Sequence, residues 1–352
     1  MRENSLDLRF IGPGPGTPEA CRVWAQAYIN LTPIAMKISG FSMVRNATLL
    51  YYPIKESILS ILPMVDEYVV AVGKGEVADR TLEEIESIGS DKLRIIRTEW
   101  DLNKYPNGTE NAHQTDIARE ACTGDWLFYL QADEVVHEKD LPVIQQRCKQ
   151  LLDDKEVEGL IFNYYHFWGD YDHYHTAHGW YPHEIRIVRN HPDIHSWESA
   201  QSFRRIPGFD YKNYRQQEGT YKLNVAALDA HIYHYGYVRP PDFMQRKRKA
   251  LDTIHRGEAR VTADYQKEAQ AFDYGALGKI ATFKGSHPAV MREKIAAMDW
   301  KDQLNYSKVA DTSHRKQFKH EKFKNKVVTA VEQHLNGGKQ LFTFRNYNLL
   351  QR

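Results

Sequence analysis

The sequence predicts an α/β protein: a mostly parallel sheet flanked by helices, then an antiparallel extension, then a helical C-terminal region. Three observations predict it. Between Met36 and Leu130, short apolar stretches alternate with stretches of helical period; the apolar stretches are nearly continuous, as in YVVAV at 68–72; and beyond Pro240 and Pro241 the chain turns helical and basic. Alternation of this kind reads as crossover units, and unbroken apolar strands are those buried on both faces by helices.

In chain order, the pattern predicts a strand at Lys37–Val44, a helix at Ile54–Leu62 and a strand at Glu67–Val72, followed by a helix at Thr81–Ser87 and a strand at Leu93–Arg97. A helix at Thr109–Cys122 and the strand WLFYL from Trp126 complete this half, and a helix at Leu141–Asp153 follows. Strand-like stretches at Leu160–Trp168 and Glu184–Val188 then flank a loop dense in aromatic and histidine residues, and a last strand spans Ala230–Tyr235. The expected organisation is a flexible extension over 1–35, where FIGPGPGTP reads as loose chain, a main domain over 36–239 and a helical region over 240–352.

The net charge of +1 offers no global field for nucleic acid, so an ionic partner must meet a local patch. Cys21, Cys122 and Cys148 are widely spaced and lack CxxC or zinc spacing, which favours a reducing, cytoplasmic setting. The most apolar region, Ile58–Val72, is broken by Pro63, Asp66 and Glu67 and does not span a bilayer. RKRK from Arg246 and HRKQFKHEKFKNK from His314 are basic enough for peripheral contact with the inner face of an anionic membrane; the plainer reading is a solvated helix face.

Ligands of parallel sheets bind outside the carboxyl ends of the strands. The fourth predicted strand ends there in QADE, at 131–134. Strand alternation projects Gln131 and Asp133 to one side and Glu134 to the other. A hard cation such as Mg²⁺ or Mn²⁺ needs oxygen ligands, and Asp133 with a diphosphate can supply them. The alternative is that acids end a strand because the chain has reached solvent.

Taken together, ISGFSMVRN, ESILSILPMVDEYVVAVGKGEVADRT, ACTGDWLFYLQADEV and AHIYHYG resemble family 2 glycosyltransferases of GT-A fold, over roughly residues 36–240. The resemblance implies sugar transfer from a nucleotide-sugar to a glycan or lipid-linked acceptor, with Mn²⁺ or Mg²⁺ at a DxD motif whose first acid is here Gln131. Cell-surface polysaccharide synthesis is the expected setting, and the antiparallel extension becomes the acceptor side. Carried over by position, Arg45, Asn46, Asp79 and Gln131 meet the donor, while Asp133 and His234 hold the metal. Gly73 and Lys74 depart from the acidic stretch usual before Asp79, which has capping of the next helix as its alternative role. Gln114 and Asp116 fall near donor-facing positions, with a solvated helix face as the alternative. Glu198 is the candidate general base, with Trp197 beside it as a sugar-stacking surface, and Glu184 is the second candidate. His173, His175, His178 and His183 fit no zinc spacing and suit an acceptor loop instead. Two other readings remain: a sugar nucleotidyltransferase, which usually needs a glycine-rich loop after the first strand, and a non-catalytic carbohydrate-binding relic.

Overall fold

The computed structural model describes residues 36–266, 268–341 and 345–352, so the expected extension over 1–35 lies outside the described residues. Chain order gives β1 (Ile38–Val44), α1 (Ile54–Ile61), β2 (Glu67–Gly73), α2 (Thr81–Glu86), β3 (Leu93–Thr98), α3 (Thr109–Glu120) and β4 (Trp126–Tyr129). The strands of this half are all parallel, in the order β3-β2-β1-β4. The spacing of Ile54, Ile58 and Ile61 puts them on one face of α1, and all are buried. Every residue of β2 after Glu67 is buried, as expected of a strand covered on both faces.

The QADE stretch departs from expectation. β4 stops at Tyr129, a turn at Ala132 and Asp133 is closed by the Glu134 amide donating to the Gln131 carbonyl at 3.0 Å, and β5 (Glu134–Val136) starts a new strand. The alternation argument for Gln131 and Asp133 therefore does not apply, because neither lies in a strand. Next come α4 (Leu141–Gln150), β6 (Gly159–Trp168), β7 (His173–His175), β8 (His183–Arg189), β9 (Ile194–Trp197), β10 (Ser202–Arg205) and β11 (Tyr221–Tyr237). β8 inserts antiparallel between β4 and β6, and β11 runs parallel to β6. β11 starts well before the expected Ala230, because its first half alternates buried and exposed positions and is punctuated by polar residues that hide the strand pattern. β5 pairs antiparallel with β11 and sets Glu134 opposite His234.

The C-terminal region contains α5 (Pro241–Arg256), α6 (Glu258–Tyr265), β12 (Ala281–Thr282), α7 (Arg292–Ala296), α8 (Phe323–Leu335) and β13 (Tyr347–Leu349). β12 pairs with β7, and β13 adds to β11 alongside Leu223–Val225. Residues 37–352 form one compact unit. The Gly108 amide donates to the Ile254 carbonyl at 3.1 Å, tying the end of α5 to the loop after β3. The result is an α/β fold with a parallel helix-flanked half, an antiparallel extension and a helical C-terminal region. Among the described residues, no helix is long and apolar enough to cross a membrane. Cys122 and Cys148 are free and buried.

Phe128 and Phe162 stack at 5.2 Å where β4 and β6 sandwich β8, and both are fully buried. Phe128→Ala is expected to lower the unfolding free energy by about 3–5 kcal/mol, read from the denaturant midpoint at unchanged slope.

Candidate active site

The strand order reverses between β1 and β4, since β2 and β3 lie on one side of β1 and β4 on the other. The crevice outside such a reversal is where open α/β sheets bind ligands. On its β1 rim, Arg45 donates to the Lys74 carbonyl at 2.9 Å and lies over the Trp100 ring. Asn46, with φ of +57°, accepts from the Glu76 amide at 2.9 Å and donates to the Glu76 carboxylate at 3.1 Å. Asp79 accepts from the hydroxyls of Thr48 at 2.8 Å and Thr81 at 2.6 Å. These residues lock the loop after β1 to the loop after β2, and Asp79 does so from the entrance of α2.

On the β4 rim, the turn is locked by Glu134. Its carboxylate, fully buried, receives Arg186 Nε and Nη2 at 2.7 Å each, the Tyr164 hydroxyl at 2.9 Å and the Gln131 amide at 3.1 Å. Arg186 spends its remaining donors on the carbonyls of Ile185 and Gln201 and lies between the rings of Tyr129 and Tyr164. The Gln131 side chain donates to the Ala200 carbonyl at 2.9 Å, so it tethers the 198–201 loop.

Asp133 projects the other way, against β11 and α5. Lys247 Nζ donates to its Oδ2 at 2.8 Å and to the Gly236 carbonyl at 2.7 Å. Arg239, also buried, donates to the same carbonyl at 3.1 Å and lies over the Tyr52 ring. Burial would raise the Asp133 carboxyl, but Lys247, then His234 and Arg239, outweigh it and hold it well below the usual carboxylate range. Burial, reinforced by Arg239, pulls Lys247 down to about 8 against the pull of Asp133.

The histidines have a defined tautomer. His166 Nε2 is 2.8 Å from the Tyr181 carbonyl, which can only accept, so that nitrogen bears hydrogen. Burial keeps both rings neutral, pushing His166 down to about 3 and His234 to about 4. His166 Nδ1 then accepts from His234 Nδ1 at 2.9 Å, leaving the His234 Nε2 lone pair toward Asp133 Oδ1 at 3.8 Å. Two acceptors facing each other at 3.8 Å can share a cation. A Cβ on Gly236 would lie 2.4 Å from His234 Nε2 and 3.1 Å from Asp133 Oδ2, so glycine keeps this space clear. An imidazole nitrogen and a carboxylate oxygen, completed by phosphate oxygens, suit Mn²⁺. The residues present therefore fit a divalent ion, with Lys247 occupying the other oxygen of Asp133.

A second acidic group, Asp116, Glu120 and His195, brings its ligand atoms within 4.8 Å of one another. Arg119 already fills it, 2.9 Å from Asp116, 3.2 Å from Glu120 and 3.3 Å from His195. Gln114 and Asp116 are buried in this part of α3, not on a solvated helix face.

The two candidate bases bracket the 198–202 segment. Glu198 is partly exposed with φ of +55°, and Ala200 has φ of +61°, an unusual density of left-handed residues for one short loop. Glu184 accepts from the Ser202 hydroxyl at 2.8 Å, and burial raises its carboxyl above the ordinary value. Trp197 is buried with the Arg204 guanidinium 4.4 Å from its ring centre, so that face is covered and not open to a sugar. In the histidine loop, His173 pairs with Asp170, His178 with Glu332, and His175 stacks on Trp180 at 4.5 Å. A cavity of about 460 Å³ lies between this loop and α8, bordered by His175, Lys279, His320 and Lys326.

Sequence reasoning did not find Lys247, Arg239 or His166. RKRK reads as a uniformly solvated run, and nothing local distinguishes Lys247 from its neighbours; only the docking of α5 against Gly236 does. His166 sits in an aromatic strand with no spacing relation to His234.

No family profile matches the chain, and no curated protein matches it. Among solved structures, it is similar to TarS of S. aureus at 13% identity, over 66% of this chain and 43% of that one, with a TM-score of 0.32. It is similar to glucosyl-3-phosphoglycerate synthase from Mycobacterium tuberculosis, in complex with Mn²⁺, UDP and phosphoglyceric acid, at 18% identity over 44% and 49% of the chains, with a TM-score of 0.26. A third is the mannosyltransferase PcManGT from Pyrobaculum calidifontis with GDP-Man and Mn²⁺, at 16% identity over 40% and 41%, with a TM-score of 0.27. The chain spans less than half the length of each of these three. The likenesses are distant, and the chemistry rests on this chain's own residues.

Arg186→Met leaves a buried carboxylate without its partner and is expected to cost about 3–5 kcal/mol of stability. Glu134→Leu with Arg186→Met should cost clearly less than the two single changes added together. Denaturant unfolding of the four proteins measures that coupling.

Proposed function

We propose that the protein transfers a sugar from a nucleoside diphosphate sugar to an acceptor hydroxyl, with inversion. The observation that carries this reading is the buried charge at the end of β4, beside the strand-order reversal. With His166 and His234 neutral, Lys247 and Arg239 against Asp133 leave one positive charge in excess in a nearly dry setting. Excess buried positive charge requires an anion. A carbohydrate-binding relic would have no use for it, whereas a leaving diphosphate would. A nucleotidyltransferase is disfavoured because the chain after β1, RNATLLYY, lacks the glycines that grip a triphosphate.

In this reading the base and ribose lie along the loop carrying Arg45, Asn46 and Asp79. Asp133 and His234 would hold Mn²⁺ or Mg²⁺, which when bound supplies Lewis-acid stabilisation to the departing diphosphate. Lys247 has three protons and gives two of them to Asp133 and Gly236, so the third is available to a phosphate oxygen. Glu198 takes the acceptor hydroxyl proton as that oxygen attacks the anomeric carbon; the bond to the diphosphate breaks from the opposite face, its electron pair staying on the phosphate. Glu184, with its raised carboxyl, is the second candidate for that base. The acceptor, a glycan or a lipid-linked sugar, is met by the histidine loop and the cavity beside it. The 36–239 domain and the 240–352 region act together in this scheme, because α5 supplies Lys247 to the site.

Calorimetric titration with UDP and GDP, with and without Mn²⁺, and release of sugar from their hexose derivatives test the reading. Binding of a nucleoside diphosphate and slow sugar release are expected; absence of both would sink it. Glu198→Gln should lower turnover by about 10²–10⁴-fold with nucleotide affinity unchanged; an active Glu198→Gln beside an inactive, folded Glu184→Gln would move the base to Glu184. Lys247→Met should weaken the binding of the nucleoside diphosphate by about tenfold or more.

A further inference from the structure

α8 is amphipathic in the reverse sense. Its inward face is polar: Glu332, fully buried, lies 2.8 Å from His178 Nδ1 and accepts from the Leu341 amide at 2.7 Å. On the same side, the Thr329 hydroxyl accepts from the His178 amide at 2.9 Å. Its outward face is apolar: Phe323, Val327, Val331 and Leu335, successive i+4 neighbours, are 82%, 47%, 37% and 81% exposed. A helix docked by its polar side and showing an apolar stripe to water is the opposite of the usual surface helix.

The charge around the stripe selects its occupant. Lys316, Lys319, Lys322, Lys324 and Lys326 are exposed in and just before α8, and none has an ion pair among the described residues. The one acid among them, Glu321, is already held by Arg315 through two bonds of 2.7 Å. A second copy docking through this face would set lysine against lysine, which is unfavourable. An anionic lipid surface answers both features, taking aromatic and aliphatic side chains into its headgroup boundary and the lysines against its phosphates.

We propose that α8 is a membrane-surface helix, which places Phe323, Val327, Val331 and Leu335 in the interfacial layer of an anionic bilayer with the lysines of 316–326 around them. The proposal is independent of sugar transfer. It also revises which basic segment reaches the membrane, since RKRK on α5 commits Lys247 to the interior.

The test is co-sedimentation of the full chain, without nucleotide, with vesicles of phosphatidylcholine alone and of phosphatidylcholine mixed with phosphatidylglycerol. Binding to the mixed vesicles is expected to exceed binding to the neutral ones and to weaken as salt rises. Phe323→Glu and Leu335→Glu should each weaken it by about tenfold or more. Both side chains are exposed, so the fold should survive, and thermal unfolding checks that it does. Native protein that stays in the supernatant with both vesicle types would overturn the proposal, as would unchanged binding in the two variants. So would self-association in sedimentation velocity that is lost in Phe323→Glu while vesicles are ignored, which would assign the stripe to a second copy.

Discussion

The buried ion pair between Glu134 and Arg186 is the interaction on which the site depends. It joins β5 to β8, takes in Tyr164 of β6, and reaches the 198–201 loop through the Gln201 carbonyl. Two charges taken out of water are tolerated only when their remaining valences are satisfied, and here nearly all of them are. The same carboxylate accepts the Gln131 amide and so fixes the turn that carries Asp133. The β4 rim of the crevice is held in register by this polar knot.

That knot divides labour between adjacent acids. Glu134 is consumed by structure: both its oxygens are shared among Arg186, Tyr164 and the Gln131 amide. Asp133, one residue earlier and turned toward β11, keeps an oxygen 3.8 Å from the lone pair of His234. Its other oxygen is held by Lys247, so the aspartate carries a compensating charge before any ligand arrives. Gln131 works through its side-chain nitrogen on the Ala200 carbonyl, a bond that a carboxylate could not donate.

The region beyond Pro240 contributes in two unlike ways. α5 points Lys247 inward to a buried carboxylate, and α8 turns an apolar stripe outward. α5 carries RKRK within the helix, whereas the lysines of α8 lie in its first turn and in the chain just before it, and the two helices differ in which face meets the rest of the fold. β13 returns the end of the chain to β11, so this region is built into the same sheet as the site.

The sequence by itself determined the alternation of strands and helices in the first half, because period and burial on both faces are local properties written in the apolar pattern. It also marked the carboxyl end of the fourth strand, where Asp133 lies, as an edge that ligands of parallel sheets approach. It could not determine that a new strand opens at Glu134, since only the pairing of Glu134 with His234 on β11 starts one. Nor could it separate Lys247 from the other charges of RKRK, or link His166 to His234. Those assignments arise from contacts between residues 68 to 114 positions apart, and charge, tautomer and burial at such sites are decided by what the fold brings alongside.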